Sequence, residues 1–222
     1  FDGYEWEDAD CLARVCSVRL PVRSPTSMRH CVLRAAESGA GGEDGADRNG
    51  GNTPPHGHGM AIAQAYQEAF DHVASTLSSL DYSSLDWGVA ELGVLLESLA
   101  LLRALRSLDL SDNPRLDEEA AAALAACLLV DPPLPLQILN LSSSSLGEAG
   151  GAALAPAVAR LASAGSLTAL DVSSTCLKCE GVVAIVNACQ AAGCRLQSLS
   201  CDTNEVRVAG ASALARMCAA TR

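Results

Sequence analysis

The chain has 222 residues, of which 49% are hydrophobic and only 3% aromatic, so it suits one domain with a core of leucine, alanine, valine and cysteine. The formal net charge of −11 excludes the basic surface that nucleic-acid binding requires. No apolar run reaches the roughly 18 residues of a transmembrane helix, and the acidic opening FDGYEWEDAD is unlike a signal or transit peptide.

The N-terminal part is predicted to be the least regular region of the chain. Residues 37–59 are rich in Gly, Asp and Pro, which predicts a flexible loop. Within residues 1–36, Val15, Val18 and Leu20 show the apolar alternation of a short strand. Two interpretations stay open. These residues form an extra edge strand, with 37–59 inserted before its helix, or residues 1–36 are a separate N-terminal extension.

An amphipathic helix is predicted over 60–77, at the start of a repeat domain that spans 60–222. We expect this helix to pack beside the helix of the first repeat. Its apolar residues recur at helical spacing and are Ile62, Tyr66, Phe70, Val73 and Leu77.

A strand–turn–helix pattern then recurs five times, which is the strongest signal in the sequence. The copies start at residues 77, 105, 136, 167 and 196, so their spacings are 28, 31, 31 and 29 residues. Each has an apolar triplet, an apolar anchor, and two further apolar residues eight and twelve positions beyond the anchor, which share one face of a helix. In chain order the anchors are Trp87, Leu116, Leu146, Leu177 and Val206, and the helix pairs are Leu95 and Leu99, Leu124 and Leu128, Leu154 and Val158, Ile185 and Cys189, and Leu214 and Cys218.

The segments LRSLDLSDN, LQILNLSSS, LTALDVSST and LQSLSCDTN, each followed by a helix, resemble the leucine-rich repeat family. The resemblance covers about residues 77–222 and is nearest to the ribonuclease-inhibitor-like subtype. It implies an α/β solenoid, a horseshoe with parallel strands on the concave face and helices on the convex face. The dimensions agree, since strands stack about 4.8 Å apart whereas helices need about 10 Å, and the mismatch forces a curve.

Four departures from a uniform repeat are visible. The family's asparagine after the strand is present as Asn113 and Asn204 but is replaced elsewhere, by Leu85, Ser144 and Thr175. The turn Asn113-Pro114-Arg115 holds one extra residue, and residues 130–135, VDPPLP, are predicted to form a rigid loop. Pro156 lies inside the helix expected over 148–163 and is predicted to kink or delay it.

The last predicted helix, 208–220, lacks the polar capping unit that normally closes a repeat array. Either the native protein continues or a partner covers this end. Both alternatives indicate a larger assembly.

The candidate binding surface is the concave face, because alternate residues of each strand point outward. One interpretation is an acidic docking surface for a basic partner. The other is that these polar residues support the turns that follow each strand. The surface also lacks the Tyr, Trp and Arg anchors that usually dominate binding energy. The predicted protein-binding residues are Asp81, Asp109, Ser111, Asn140, Ser142, Asp171, Ser173 and Asp202.

The ten cysteines are interpreted as reduced and mostly buried in an intracellular protein. Cys176 and Cys179 form a C-x-x-C motif, but a structural zinc site needs four ligands, and Leu177 between them is expected to point inward. Cys189, Cys201 and Cys218 stand at leucine positions of the repeat. His56 and His58 lie in the predicted loop without partners. We therefore predict no metal and no cofactor.

The sequence offers little for catalysis, since no Walker loop, G-x-S-x-G or H-E-x-x-H occurs. The prediction is a non-catalytic scaffold for protein–protein interaction within a multi-subunit assembly. Its partner is another protein, for which a basic surface is one interpretation of the acidic concave face. The alternative is a sensor-type repeat domain or a regulator of a small GTPase. The resemblance extends to Ran GTPase-activating proteins, and it implies an arginine on a strand-to-helix turn, for which Arg115 beside Asn113 is the candidate.

Overall fold

The computed structural model describes residues 55–194 and 196–220. Side chains are described from Gln64 to Ala219 within those ranges. The interpretations of Val15, Val18 and Leu20, and of most of the predicted loop 37–59, fall outside the described residues and stay predictions.

Helices and short strands alternate along the described chain. The first helix begins at Pro55, so residues 55–59 are helical and do not belong to the predicted loop. The elements are α1 (Pro55–Thr76), β1 (Ser79–Asp81), α2 (Val89–Leu99), β2 (Ser107–Asp109), α3 (Glu118–Leu128), β3 (Ile138–Asn140), α4 (Gly147–Ser163), β4 (Ala169–Asp171), α5 (Lys178–Ala191), β5 (Ser198–Ser200) and α6 (Val208–Ala220).

The five strands form one parallel sheet in the order β1-β2-β3-β4-β5. Each strand pairs with the next in the same register, so that Leu80, Leu108, Leu139, Leu170 and Leu199 lie side by side. One strand, its turn and its helix make one coil, and coils 1 to 5 start at residues 77, 105, 136, 167 and 196. This arrangement confirms the predicted α/β solenoid of leucine-rich-repeat type.

Adjacent coils are joined by the same backbone hydrogen bonds at each step. The carbonyl of Thr168 accepts from the amides of Gln197 (2.8 Å) and Ser198 (3.0 Å), and the amide of Val172 donates to the carbonyl of Ser200 (2.9 Å). A parallel strand cannot satisfy its backbone groups alone, so each coil depends on its neighbour.

The core lies between the sheet and the helices and consists of the predicted repeat positions. The anchors and both helix positions of coils 1 to 4 are buried. The aromatic rings of Tyr82 and Trp87 stack in coil 1, with centroids 4.5 Å apart, and fill the volume that leucines occupy in later coils. The α1 residues Phe70 and Val73 are also buried, as the predicted amphipathic helix requires.

Buried asparagines tie two pairs of coils together. The Oδ1 of Asn113 accepts from the amides of Leu85 (3.1 Å) and Trp87 (2.9 Å) in coil 1. Its Nδ2 donates to the carbonyls of Tyr82 and Leu110, each at 2.8 Å. One side chain thereby satisfies main-chain groups that no strand or helix reaches.

Asn204 performs the same task between coils 5 and 4. Its Oδ1 accepts from the amides of Thr175 (3.2 Å) and Leu177 (3.0 Å), and its Nδ2 donates to the carbonyl of Val172 (2.6 Å). The two asparagines of the repeat pattern are therefore structural groups.

Ser144 replaces the asparagine in coil 3, and its buried Oγ has no hydrogen-bond partner among the described residues. The bulged turn of coil 2 explains why a longer side chain is not needed there. The amide of Leu116 donates to the carbonyl of Asn113 within that turn (2.9 Å), and the carbonyl of Leu116 accepts from the amide of Ser145 (2.9 Å). The extra residue lets the turn satisfy its own backbone.

Pro156 does not delay its helix, which was one of the two predicted effects, because α4 runs unbroken from Gly147 to Ser163. Proline removes the hydrogen bond to the carbonyl four residues earlier, here that of Ala152. Both Ala152 and Pro156 are exposed, so this carbonyl lies on the side of the helix that water reaches.

Three arginines contact the predicted rigid loop between coils 2 and 3. Two guanidiniums donate to carbonyls of the loop, and the third donates to the carboxylate of Asp131 in the loop and to the carbonyl of Leu129 just before it. These contacts hold a segment that lacks regular secondary structure. The pairs are Arg103 with Pro132 (3.2 Å), Arg106 with Pro135 (3.1 Å), and Arg160 with Leu129, where Arg160 also pairs with the carboxylate of Asp131.

Helices α4 and α5 approach closely through two glycines. A Cβ placed on Gly151 would lie 2.8 Å from the Cα of Gly181 and 2.8 Å from the side chain of Leu177. Neither backbone can yield without moving its helix, so only glycine fits at position 151.

Burial falls off in coil 5. Leu199, Val206 and Leu214 are only partly buried, although their counterparts in coils 2 to 4 are fully buried. Cys201 is partly buried and Cys218 is exposed, so the prediction of a core position is wrong for Cys218. The described part of the chain provides no sixth coil to cover these residues.

A pair of glycine substitutions tests the close approach of α4 and α5. Gly151→Ala should lower the free energy of unfolding by about 1–3 kcal/mol, because the new methyl group must displace backbone. Gly93→Ala in α2 is the matched control, since its Cβ would meet nothing within 4 Å. It should raise the free energy of unfolding by about 0.5–1 kcal/mol through helix propensity. Urea denaturation of both variants measures whether each substitution raises or lowers the free energy of unfolding. The same change in both variants would contradict the close packing at Gly151.

Candidate functional site: the concave face

The predicted central column of the concave face is continuous in the structure. The strand register places Asp81, Asp109, Asn140, Asp171 and Ser200 side by side across the sheet. Asp81 is exposed, and the other four side chains are partly exposed. Three carboxylates in this column give the face a negative charge.

The three aspartates and Asn140 of this column also support the turns that follow their strands. The Oδ1 of Asp109 accepts from the amide (2.9 Å) and the hydroxyl (2.6 Å) of Ser111. The Oδ1 of Asn140 accepts in the same way from the amide (3.1 Å) and the hydroxyl (2.8 Å) of Ser142. These Asx turns help to stabilise the bend after the strand.

Coils 1 and 4 use the same turn. The carboxylate of Asp81 accepts from the amide and hydroxyl of Ser83, and the carboxylate of Asp171 accepts from the amide of Ser173 at 2.9 Å. The same aspartates can therefore support their turns and bind a partner. One carboxylate oxygen accepts the hydrogen bonds of the turn, while the side chain remains at the surface.

A side-chain bond links two members of the column. The Nδ2 of Asn140 donates to the Oδ2 of Asp109 at 3.1 Å. An amide between the aspartates of coils 2 and 4 reduces their mutual repulsion, since like charges on adjacent strands are destabilising.

The predicted binding residues differ in the surface that they present. Asp202 is exposed, and Ser142 and Ser173 are partly exposed, whereas Ser111 is only 7% exposed and presents little surface. Ile138, which is not among the predicted binding residues, is 47% exposed at the middle of the concave face. Its outward position in the strand alternation was the one signal that could have singled it out.

The GTPase-contact candidates separate into one internal and one external residue. Asn113 is fully buried and engaged in the fold, so it presents no contact surface. Arg115 lies on the turn before α3 with 60% of its side chain exposed. Its guanidinium donates to the carbonyl of Asp86 (3.3 Å) and lies 3.8 Å from that residue's carboxylate.

The cysteines do not form a metal centre in the described part of the chain, where no group of three or more His, Cys, Asp or Glu side chains could hold an ion. The Sγ of Cys179 accepts from the amide of Gly210 at 3.2 Å, and Cys176 is exposed. None of the seven described cysteines forms a disulfide with another described cysteine. Burial, together with a hydrogen bond to Cys194, raises the pKa of the Cys189 thiol well above its ordinary value. Such a thiol is a poor nucleophile and a poor ligand.

A second acidic cluster lies where helices α4 and α5 begin. Glu148 and Glu180, in the first turns of α4 and α5, line a shared depression with Glu205, Lys178 and Arg207. The pKa of Glu180 is raised, first by the hydrogen bond from its carboxyl group to Glu148, then by repulsion from that carboxylate, and last by burial. With a raised pKa, Glu180 keeps its proton to a higher pH than an isolated glutamate does.

Comparison with known proteins agrees with this architecture. A leucine-rich repeat family model matches residues 102–125 and 166–186, which lie in coils 1 to 4 and include strands β2 and β4. No curated protein matches the chain. Together with the five parallel strands in repeat register and the alternating helices, these matches support an α/β solenoid of leucine-rich repeats. No helix among the described residues is long and apolar enough to cross a membrane.

The paired glutamates predict a pH dependence. A folded-state pKa above the unfolded value means that protonation stabilises the fold, and this contribution is lost as the pH rises through the raised pKa. In Glu148→Gln the pair becomes an amide–carboxylate pair without repulsion. The variant should therefore be more stable than the wild type at about pH 7, with the gain shrinking towards about pH 4. Thermal unfolding at a series of pH values measures the difference.

Glu119→Gln is the control, because Glu119 is an exposed first-turn glutamate of α3. This variant should not show a gain in thermal stability at neutral pH that disappears at acidic pH. If both variants gave the same pH profile, the pairing of Glu148 with Glu180 would be refuted.

Proposed function

We propose that this protein is a non-catalytic scaffold that holds another protein on its concave face, as a subunit of a larger intracellular complex. Leucine-rich repeats commonly mediate protein–protein interaction and are generally non-catalytic, which supports the class of function. The described cysteines form no disulfide with one another, which supports an intracellular location, since reduced thiols persist in reducing compartments. The helix in every coil and the 28–31-residue spacing support the ribonuclease-inhibitor-like subtype.

The observation that carries the proposal is the continuous polar column on a rigid sheet. Its aspartates are fixed by hydrogen bonds to their own turns, so they need little reordering when a partner binds. Asp81, Asp109, Asp171 and Asp202 attract a basic partner through long-range electrostatics, which chiefly accelerates association. Ile138 adds an apolar contact within this polar face. We therefore expect a partner with lysines or arginines around a small apolar patch.

A charge-neutral substitution tests the role of the column. Asn140 occupies the same turn position as the aspartates and accepts the same two hydrogen bonds, so Asp→Asn should preserve each turn. The triple variant Asp81→Asn, Asp109→Asn, Asp171→Asn should bind the native partner on the order of tenfold more weakly and with less salt dependence. Cross-linking mass spectrometry on native material identifies the partner, and calorimetry or surface plasmon resonance at several salt concentrations measures the affinity.

The control variant removes the same charge elsewhere. Glu68→Gln, Glu97→Gln and Glu119→Gln change three exposed helical glutamates. Binding should persist in this variant. Equal weakening in both triple variants would show that net charge matters and that the concave column is not the contact.

Regulation of a small GTPase is the second candidate function, and the exposure of Arg115 favours keeping it. An arginine that enters a partner's active site must be exposed and held near its working position, and the contact with Asp86 provides such a restraint. GTP hydrolysis by small GTPases should then rise with the protein and lose that stimulation in Arg115→Ala. Arg207→Ala, another exposed arginine before a helix, is the control. Absence of stimulation by the wild type excludes this candidate while leaving the scaffold proposal intact.

A further inference from the structure

The end of helix α5 places two cysteines against each other. The helix closes in a Schellman turn, in which the amide of Cys194 donates to the carbonyl of Cys189 at 3.0 Å. Inside it, the amide of Gly193 donates to the carbonyl of Gln190 at 3.1 Å. Gly193 has a φ of 60°, the left-handed conformation that this turn requires. The first and the last of the six residues of such a turn commonly contact each other through their side chains, and here both are cysteines.

The separation of the two residues suits a disulfide bond. Because the amide of Cys194 bonds directly to the carbonyl of Cys189, covalent geometry keeps their Cα atoms within about 7 Å. Disulfides join residues whose Cα atoms are roughly 4.4–6.8 Å apart. The side chains also meet, since the two thiols hydrogen-bond to each other. A bond between the two sulfur atoms therefore requires side-chain rotation and little movement of the backbone.

The fold does not require cysteine at either position. Helix α4 closes in the same turn, where the amide of Ser166 donates to the carbonyl of Leu161 at 3.1 Å. Leu161 and Ser166 thus occupy the positions of Cys189 and Cys194. A buried leucine and a partly exposed serine satisfy the packing and the hydrogen bonds of the turn there. Packing alone therefore does not explain why α5 has two cysteines at these positions.

The two thiols differ in their access to solvent. Cys189 is fully buried, whereas Cys194 is partly exposed. Burial, followed by the hydrogen bond to Cys194, raises the pKa of Cys189, so that its thiol stays protonated at neutral pH. An oxidant in solution therefore reaches Cys194 first, and Cys189 is the group that waits beside the oxidised sulfur.

We propose that Cys189 and Cys194 form a reversible disulfide when the protein meets a peroxide, which makes the end of α5 a site of oxidative modification. In the first step the peroxide transfers one oxygen atom to the Sγ of Cys194, which becomes a sulfenic acid, and the peroxide leaves as an alcohol or as water. In the second step the Sγ of Cys189 bonds to the Sγ of Cys194. The proton of Cys189 and the sulfenic hydroxyl group leave together as water, so two thiols are oxidised and one peroxide is reduced.

The second step is possible even though Cys189 is a poor nucleophile towards molecules in solution. Its target is a sulfur atom that it already contacts, and holding two reacting groups together replaces a bimolecular encounter by an intramolecular reaction. A sulfenic acid without such a neighbour is open to further, irreversible oxidation. The pair therefore also protects Cys194.

The same arrangement allows reduction. The Sγ of Cys194 remains the accessible sulfur of the disulfide, so a dithiol reductant attacks there and releases Cys189 as a thiol. The second thiol of the reductant then displaces Cys194, and the reductant leaves as its own disulfide. Both cysteines are thereby restored.

The disulfide would hold the last turn of α5 closed. Helix ends open more readily than helix centres, and a bond from Cys189 to Cys194 spans the whole turn. The chain then continues to β5, in the coil whose core residues are only partly buried. Slower amide hydrogen exchange of Gly193 and Cys194 in the oxidised protein measures this effect. The inference goes beyond the proposed scaffold function and does not rest on it.

Peptide mapping of the full chain tests the proposal, because the sequence isolates this pair of cysteines. Cleavage after Glu180 and Arg195 yields residues 181–195, GVVAIVNACQAAGCR, whose only cysteines are Cys189 and Cys194. The reduced protein is treated with hydrogen peroxide, unfolded and alkylated before cleavage. The peptide should then carry no alkyl group and lack two hydrogen atoms. Treatment with a dithiol reductant before alkylation should restore both alkyl groups.

Cys127 in the same sample is the internal control. It is also partly buried, and burial alone raises its pKa, without a contribution from another cysteine. Cys127 should keep its alkyl group at the peroxide dose that converts the pair.

Two variants separate the two steps. Cys194→Ser introduces the serine that α4 has in its turn, and it should leave Cys189 reduced under peroxide. Cys189→Val introduces the residue that coil 3 has at this position of the helix, Val158, so the core stays filled. In this variant Cys194 should stop at the sulfenic acid, which a cyclic diketone probe labels, whereas the wild type should lose most of that label. Circular dichroism checks that both variants fold.

Three results would overturn the proposal. The first is a wild-type peptide that keeps both alkyl groups after peroxide treatment. The second is Cys194 joined to a different cysteine or oxidised beyond the sulfenic acid without pairing. The third is equal sulfenic labelling of the wild type and of Cys189→Val, which would show that Cys189 does not react with the oxidised sulfur.

Discussion

The structure depends on mutual burial between neighbouring coils. A three-residue strand and a helix of 11 to 17 residues have too little apolar surface to fold alone. Each buried leucine contributes about 1.5–3 kcal/mol only after the next coil has excluded water from it. Two observations show this dependence. The leucines of the five strands lie side by side, and at each step one carbonyl accepts two amide hydrogen bonds from the next coil.

The same constraint explains why so much of the fold was predictable. Burial requires apolar residues at the triplet, the anchor and the two helix positions of every coil. The spacing of these residues therefore predicts the strand and helix of one coil, and their recurrence along the chain predicts that the coils stack. The outward residues of the concave column were predictable for the same reason. Their partners were not, since the turn hydrogen bonds and the link between Asn140 and Asp109 depend on where side chains from different coils meet.

The departures from prediction have local physical causes. Pro156 was expected to disturb its helix, yet the helix tolerates it on the solvent side. Ser144 was seen as a missing asparagine, but the bulged turn of coil 2 removes the need for one. Cys218 was predicted to be a core residue because it lies twelve residues beyond its anchor, and the structure does place it at that position of the helix. The residue is exposed because a core position in a solenoid is buried by the following coil and not by its own.

The glycine contact between α4 and α5 has a consequence for the shape of the concave face. Curvature arises because helices are wider than the spacing of strands, so the angle between two coils grows with the distance between their helices. Where Gly151 meets Gly181, the helices approach closely. We therefore expect a smaller angle, and a locally flatter arc, between β3 and β4, beside Ile138, than in a uniform horseshoe. A flat ligand surface could lie across these two strands, whereas the more strongly bent steps favour a rounded one.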